Sequence, residues 1–482
     1  MGAIRQALGQ RGLRLLLGAG LISATGDWVL RVGLVYYVYV LTGSTVASAL
    51  VMLASFVPQI VLGSVAGVFV DRWDARRTMV ISNLLLAAGL LPLLAARHAG
   101  QAWIIYAVLA WEGCVQQFFT PAEQALLPRL IDDDHLVTAN ALNGQTSDIS
   151  RLVGSAVGGV VAATGGITAL AFADIASFLI SAALIARISA AVRAPRAPRM
   201  PRVPRVRRAA RAPRIRRAAR VPSAAQVPGA GEVSGAAQVS GSAGVRGSAG
   251  VRGSLGQRVA QLRAEWTGGL RMVTRQRVLR VILIFLLITC VGEGIMSTLF
   301  APFVRSVLHG SAADYGFIVS AQAVGGIAGG LIGASVGHRI RASVLLGWGA
   351  VTFGAVDLVM FLYPLAWVAV WPAAVCMVVV GVPSALMLAG AMTLLQRNAA
   401  DSHRGRVFGA LGAVEGVAIV AGTIAAGFLG QTVGIIPVLA TQGAGYVVAG
   451  LLVVVALRHE ALARPQPGEG PGPQLEEARA RG

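Results

Sequence analysis

The chain has 482 residues, of which 55% are hydrophobic and only 13% are charged. A soluble domain carries about 25% charged residues, so this composition excludes an ordinary soluble fold. The formal net charge of +20 is concentrated in one hydrophilic segment, so it does not indicate a nucleic-acid-binding surface across the protein.

Apolar runs of about twenty residues recur along nearly the whole chain, and each is long enough to cross a hydrocarbon layer about 30 Å thick as a helix. Helices satisfy their own backbone hydrogen bonds, as a membrane interior requires. The first run is too long for a cleaved signal peptide, and no small-residue cleavage site follows it. The pattern predicts an all-α integral membrane protein with twelve transmembrane helices, near residues 14–41, 46–70, 78–96, 102–121, 147–165, 168–188, 279–301, 314–336, 343–363, 366–394, 407–429 and 435–457.

Arginine is distributed unevenly over the segments that connect these spans. Cytoplasmic segments of membrane proteins carry the excess of basic residues, so both termini of this multi-pass protein are expected in the cytoplasm, with the spans in the plasma membrane. The short loops assigned to the outside hold only Arg97 and Arg305. The ends assigned to the inside carry Arg5, Arg11, Arg14, Arg72, Arg76, Arg77, Arg129, Arg339, Arg341, Arg397, Arg404 and Arg406, besides a long Arg-rich loop.

Six spans precede a long hydrophilic stretch and six follow it. We expect an N-terminal six-helix bundle over 1–188, a C-terminal six-helix bundle over 277–458 and a disordered cytoplasmic tail over 459–482. Residues 189–255 are first rich in Arg and Pro and then in Gly, Ala and Ser, which predicts a disordered cytoplasmic linker. This linker either adheres to anionic lipid headgroups or is a solvated tether that enforces topology.

Residues 256–276 place apolar side chains three or four positions apart. This spacing predicts an amphipathic helix that either lies on the inner membrane surface or packs against the inner ends of the spans.

The two bundles share a motif after their fourth spans, ALLPRLIDDDHL at 125–136 and TLLQRNAADSHR at 393–404. Duplicated, parallel six-helix units with a central binding site are a transporter architecture, which is the arrangement we expect. The matched pairs, at a constant offset of 268 residues, are Leu126/Leu394, Leu127/Leu395, Arg129/Arg397, Asp133/Asp401 and His135/His403.

Several motifs resemble those of the major facilitator superfamily. GVFVDRWDARR (67–77) resembles its loop motif, in which a glycine is followed by Asp-Arg and further arginines. FFTPAEQALLPRLIDDDHLVTANALN (118–143) and RGRVFGALGAVEG (404–416) resemble the branch that includes drug-efflux proteins and the enterobactin exporter. The resemblance covers nearly all spans and implies two six-helix bundles that rock around a central site. Antiporters of this superfamily often carry a Gly-Pro pair in span five, where this chain has Ser155.

The loop motif also has a physical interpretation. Gly67 lets a neighbouring helix approach closely, and Asp71 can accept hydrogen bonds from a helix N-terminus or from arginine. The resemblance implies that the neighbour is span eleven. Alternatively, the charges only fix the topology. The implied conformational latch consists of Gly67, Asp71, Arg72, Arg76, Arg77, Arg404 and Arg406.

Acidic residues interrupt three spans near their middle: Asp27 in span one, Glu112 in span four and Glu293 in span seven. A carboxylate at the bilayer centre costs roughly 2.5–3.5 kcal/mol, so each one requires a partner or a function. The resemblance implies that spans one, four, seven and ten line the cavity, which makes these acids candidates for proton coupling or substrate contact. Arg31 lies one helical turn after Asp27 and either joins that site or holds Asp27 in a static ion pair.

The remaining polar and aromatic residues of the spans have weaker signals. All six histidines lie in loops or near span ends, so any coupled proton requires a carboxylate. Trp28, Tyr36, Trp111 and Phe118 could contact an amphipathic substrate, although aromatic residues in spans more often pack or anchor the interface. Asp174, Asp357 and Glu415 lie nearer the span ends and are expected to be solvated or structural. Cys114, Cys290 and Cys376 are isolated, so neither a metal site nor a disulfide is expected.

The sequence therefore predicts a monomeric secondary active transporter that exports a drug or a secondary metabolite by proton-coupled alternating access. A siderophore or lysophospholipid transporter of the same fold is an alternative. A non-transporting membrane sensor or scaffold, acting through its Arg-rich linker, is a second alternative. We find no P-loop, metal cluster or nucleophile motif, so we expect no enzyme activity and no cofactor. The expected partners are a small-molecule substrate, protons and membrane lipid, without nucleic acid.

Deleting residues 193–255 separates the transporter from the scaffold. A transporter should retain most of its activity, because the linker only tethers the bundles, whereas a scaffold that acts through the linker should lose its function. The measurement is efflux of a compound panel from cells that express the two forms at equal levels. Near-complete loss of efflux with a correctly inserted protein would contradict the tether interpretation.

Overall fold

A computed structural model describes residues 6, 8–70, 73–96, 98–131, 135–188, 271, 273–336, 340–398 and 404–458. The predicted linker 189–255, most of the amphipathic segment 256–276 and the tail 459–482 lie outside the described residues, as do the side chains of 63–70 and 404–406. The described residues are helical over most of their length and belong to one compact unit.

The N-terminal half contains five helices. They are α1 (Arg11–Thr42), α2 (Thr45–Val70), α3 (Ala75–Gly89), α4 (Ala102–Leu130) and α5 (Leu136–Ala186). Helix α1 ends at Gly43, whose positive φ of 62° closes the helix as its N–H donates to the Tyr39 carbonyl. Helix α3 begins after Asp74, whose carboxylate accepts a hydrogen bond from the Arg77 N–H at 2.8 Å.

The C-terminal half contains six helices. They are α6 (Arg277–Pro302), α7 (Ala312–Val336), α8 (Ala342–Leu362), α9 (Trp371–Asn398), α10 (Arg404–Thr432) and α11 (Ile435–Ala456). The order of these helices agrees with the predicted spans, and each helix contains one predicted span or most of it.

Helix α5 is broken at Gly166, which has φ 58° and ψ −158°. Only glycine adopts such a conformation readily. Before this break, Gly154 packs against Thr25 of α1 and Gly158 against Val29. Both positions increase together, so residues 136–165 run parallel to α1.

Beyond Gly166 the direction is opposite. Leu170 packs against Gly33 of α1, whereas Asp174, further along the chain, packs against the earlier Gly26. The chain therefore reverses at Gly166, and the two arms of α5 (136–165 and 167–186) are antiparallel.

Ten described helical segments are long and apolar enough to cross a membrane. This number counts α5 once, despite its reversal, and does not include α4. Many of their outward side chains are apolar: Phe172 is 56%, Leu331 70% and Val455 71% exposed. Such surfaces suit a hydrocarbon environment. The protein is thus a multi-pass membrane protein, while the exact number of spans and the orientation of its termini belong to the proposals below.

The two halves meet closely at the end of the molecule that holds the α1–α2 turn at Gly43, hereafter the closed end. Near this end α5 crosses α7, and a Cβ on Gly316 would lie 2.4 Å from the Ser155 carbonyl oxygen and 2.7 Å from the Gly159 Cα. Such a backbone-to-backbone crossing requires glycine. Thr45 of α2 donates to the Gly427 carbonyl of α10 at 2.7 Å.

Replacing Gly294 by alanine should destabilise the fold. Its Cβ would lie 2.2 Å from the Ile419 carbonyl oxygen and 2.7 Å from the Thr423 nitrogen, which are backbone atoms that cannot move aside. Overpacking of this kind typically costs 1–3 kcal/mol, so we expect a lower unfolding midpoint of the purified protein. Gly330→Ala is the control, since no atom lies within 4 Å of its Cβ. Equal midpoints of the two variants would contradict the α6–α10 crossing.

Candidate functional site

Two of the three predicted mid-span acids lie together inside the N-terminal half. Asp27 on α1 and Glu112 on α4 are close enough to interact electrostatically. The Asp27 Oδ2 accepts a hydrogen bond from the Gln116 Nε2 at 3.2 Å. The Glu112 side chain is buried at 8% exposure. Helices α1 and α4 thus bring these acids to one polar network.

Asp174 on the second arm of α5 is a third member of this network. It was expected to be solvated or structural near a span end, but it is fully buried and close enough to Asp27 and Glu112 to interact with both. Its Oδ1 accepts a hydrogen bond from Ser177 at 2.9 Å. The reversal at Gly166 moves Asp174 about two turns into the bundle, which the sequence alone did not reveal.

Each of these carboxylates has one buried oxygen without a hydrogen-bond partner: the Asp27 Oδ1, the Glu112 Oε2 and the Asp174 Oδ2. A buried polar atom that lacks a partner is costly. Protonation or a bound polar group would therefore stabilise this network.

Arg31 is the positive charge that faces the cluster. Its electrostatic influence reaches both Asp27 and Glu112, and its guanidinium carbon lies 5.6 Å from the ring centroid of Trp28. Trp28 thus holds Arg31 by a cation–π contact. Three acids and one arginine make this network negative when all of them are ionised.

The third predicted acid, Glu293 on α6, belongs to a different group in the other half. Its side chain is exposed although it lies in the middle of the helix, and it interacts electrostatically with Glu415 on α10 and with Arg151 on α5. The Arg151 Nε is buried without a partner. Sequence analysis missed Arg151, although an arginine inside predicted span five was a usable signal.

Asp357 on α8 is also buried, at 2% exposure, and not solvated near a span end. Its Oδ2 accepts a hydrogen bond from the Gln442 Nε2 of α11 at 2.7 Å. It is close enough to Glu293 to interact electrostatically. The C-terminal half therefore has its own buried acid.

Asp27 and Glu293 occupy corresponding positions in the two halves. Each follows a glycine, and a Cβ on Gly26 would meet Asp174 at 2.3 Å, just as one on Gly292 would meet Gln442 at 2.9 Å. The offsets of 266 (292 − 26) and 268 (442 − 174) residues follow the sequence repeat. The duplication thus extends from the inner loops to the acids.

A cavity of about 570 Å³ lies between the two halves, where α2 and α4 face α10. Its polar wall is formed by Gln59, Gln117 and Glu415, and no atom lies within 4 Å of a Cβ on Gly409 or Gly412. It lies farther along α2 and α10 from the closed end. Its full lining is Phe56, Gln59, Ile60, Gln117, Gly409, Gly412, Ala413, Glu415, Gly416 and Ile419.

The four candidate aromatic residues lie in three other places. Trp28 contacts Arg31. Tyr36 donates to the Gly310 carbonyl at 2.9 Å and therefore joins the two halves at the closed end. Trp111 and Phe118 line a groove between α3 and α4 on the outer face.

The candidate latch is described only in part. Asp71 and Arg72 lie outside the described residues, and of Gly67, Arg404 and Arg406 only the helical backbone is described. The Arg76 guanidinium donates to the carbonyls of Ile185 and Ala186 at the end of α5. The backbone N–H of Arg77 is capped by Asp74. Arg76 thus ties α3 to α5 within the same half.

The chain matches two family models. A model described as "Transmembrane secretion effector" matches residues 6–221, and one described as "Major Facilitator Superfamily" matches residues 282–480. The uncharacterized MFS-type transporter YfiS of Bacillus subtilis is 28% identical over 36% of this chain and 42% of its own length. Macrolide efflux protein A of Streptococcus pyogenes is 26% identical over 34% of this chain and 41% of its own length.

These matches span about two fifths of the length of each curated relative. Among solved structures, a bacterial homologue of the iron transporter ferroportin in an inward-facing state superposes with a TM-score of 0.65 and 13% identity, over 92% of this chain and 98% of that chain. This likeness shows the fold alone.

Removing hydrogen bonds between the halves should open the closed end. Tyr36→Phe and Thr45→Val leave the carbonyls of Gly310 and Gly427 without these donors, at a cost of about 1–3 kcal/mol for a buried unpaired group. Since 1.4 kcal/mol is about tenfold in an equilibrium constant, the closed population should fall by roughly that factor. Spin labels at Gly100 and Leu365, one in each half, report the change as longer distances.

The control is Thr432→Val, which removes a hydroxyl of the same kind that bonds only within α10, to Phe428. The labels require a background in which Cys114, Cys290 and Cys376 are replaced by alanine, because these thiols are free. Distance distributions that the double variant leaves unchanged would contradict the role of these contacts.

Proposed function

Because the chain belongs to the major facilitator superfamily, we propose that it exports a small organic molecule across the plasma membrane by alternating access, with protons moving in the opposite direction. The observation that carries this proposal is the cavity between the two halves, which lies beyond an end where the halves are in contact. A cavity closed at one end by contacts that can separate is what alternating access requires. The chain is not an enzyme.

A twelve-span topology with cytoplasmic termini is part of the proposal. The antiparallel arms of α5 support two crossings at 136–165 and 167–186. Helix α4 lies between α3 and α2, and its polar Glu112, Gln116 and Gln117 account for its lower apolarity. The arginine-rich ends support the cytoplasmic assignment.

We assign proton coupling to Asp27, Glu112 and Glu293. Their charges face Arg31 in one half and Arg151 in the other. A proton on one of these carboxyl groups removes a negative charge and lets an unpartnered oxygen donate a hydrogen bond. A positively charged group that enters the site favours loss of that proton, and this competition couples export to proton entry.

We place the cargo in the cavity between α2, α4 and α10. The amides of Gln59 and Gln117 can donate or accept hydrogen bonds, and the Glu415 carboxylate attracts positive charge. Phe56 and Ile60 supply apolar contact. This mixture suits an amphipathic molecule with a basic group. The similarity to a macrolide efflux protein supports a drug-like cargo.

The latch is proposed at the opposite end from the closed end. Helix α2 ends at Val70 directly before Asp71, and helix α10 begins at Arg404. An acid after one helix and an arginine at the N-terminus of the other can pair when that end closes. The latch would then form in the state in which the closed end has opened.

The proposal predicts proton movement that depends on cargo. Everted vesicles that contain the protein are energised with a proton gradient, and a pH-sensitive dye is followed while lipophilic cations, macrolides and neutral drugs are added. At least one compound should release protons, and the Glu112→Gln, Glu293→Gln double variant should lose this release by more than tenfold, because glutamine carries no titratable proton.

The matched control is Asp148→Asn, since this carboxylate is exposed on α5 and belongs to neither acid group. It should retain wild-type proton release. Cargo transport without proton movement would contradict the coupling and leave a uniporter. Proton release that persists in the double variant would exclude these two acids as the coupling site.

A further inference from the structure

A groove of about 730 Å³ lies between α3 and α4 on the outer face of the N-terminal half. Its apolar walls include Ile81 and Trp111, which are 56% and 45% exposed. The Trp111 indole donates to the Leu85 carbonyl at 3.0 Å, which fixes the ring as a wall of the groove. This part of the groove faces the hydrocarbon region.

The other end of the groove is polar and lies where α3 begins. Trp73 and Phe118 stack with ring centroids 6.0 Å apart, and the exposed Arg77 side chain lines the groove beside them. Tryptophan and arginine are the side chains found at the boundary between hydrocarbon and headgroups. The groove therefore extends from the apolar region to the headgroup level.

Arg77 and its neighbour have different roles. The Arg76 guanidinium is engaged by the carbonyls of Ile185 and Ala186. The Asp74 carboxylate caps the backbone of Arg77, whereas the Arg77 guanidinium points into the groove lining. A helix N-terminus adds positive potential at the same place. This end of the groove therefore attracts a negative group.

The C-terminal half provides a built-in comparison. A groove of about 630 Å³ lies at the corresponding place between α8 and α9. At an offset of 267 residues, Val344 replaces Arg77, Trp348 replaces Ile81 and Val378 replaces Trp111. The described lining of this second groove carries no charged side chain. The two grooves thus share an apolar trough, and only the first has a cationic end.

We propose that the α3–α4 groove binds one anionic phospholipid. An acyl chain lies along Ile81, Leu85 and Trp111, and the headgroup phosphate pairs with Arg77. A charge-assisted arginine–phosphate bond gives the headgroup preference, since the apolar trough alone accepts any acyl chain. The site is on the membrane-facing side and is independent of the cargo cavity.

The test counts lipids bound to the purified full-length protein by native mass spectrometry, during titration with phosphatidylglycerol or phosphatidylcholine. Wild-type protein should retain one phosphatidylglycerol with markedly higher affinity than phosphatidylcholine. Arg77→Gln should weaken phosphatidylglycerol binding by about tenfold, which is roughly 1.4 kcal/mol. Arg187→Gln is the charge-matched control, because Arg187 is exposed at the end of α5 and does not line the groove. It should change the affinity less than twofold.

A second variant tests the trough. Ile81→Trp should fill it, and Trp348 occupies the corresponding position of the other half, so the substitution is compatible with this helix pair. It should reduce retention of both lipids at the site while the unfolding midpoint stays near that of the wild type. Full retention would overturn the placement of the acyl chain.

Three further outcomes would overturn the proposal. Equal losses in Arg77→Gln and Arg187→Gln would indicate a general charge effect. Equal affinity for the two lipids would exclude a site for an anionic headgroup. Displacement of the bound lipid by millimolar glycerol phosphate would indicate a site for free phosphate and not for a phospholipid.

Discussion

The close contact of helix backbones at glycine is the constraint on which this structure depends. Helices inside a membrane gain little from burying apolar side chains, because lipid is equally apolar. Contact at short range must hold them instead. Gly158 packs on the backbone of α1 at Val29 and Gly422 on that of α6 at Val291, and Gly316 packs on α5 across the two halves. These crossings fix where the polar side chains of the same helices meet.

The acid groups follow from these crossings. Gly26 admits the Asp174 side chain, and Gly292 admits Gln442, at corresponding places in the two halves. The same framework thus carries an acid in one half and an amide in the other. The amide can donate to Asp357, whereas Asp174 adds a further negative charge beside Asp27. Duplication preserved the geometry, and substitution made the charge of the halves unequal.

The sequence was sufficient to predict the spans, because each apolar run must be about as long as the membrane is thick. It also identified Asp27, Glu112 and Glu293, since acids inside apolar runs are conspicuous. It misjudged Asp174 and Asp357, whose distance from a span end said nothing about which way the side chain faces. It also missed Arg151, because contacts between α5 and α6 join the two halves and have no periodic signature in either one.

Arg151 provides a physical link between the position of the halves and the charge of the site. It lies on α5 in the N-terminal half, but it interacts with Glu293 on α6 in the C-terminal half. Two opposite charges attract more strongly as they approach and as water is excluded. A rocking motion that separates α5 from α6 therefore makes an ionised Glu293 less favourable, and one that joins them makes it more favourable. By the same linkage, a proton on Glu293 weakens the attraction between the halves, so protonation and rocking each bias the other.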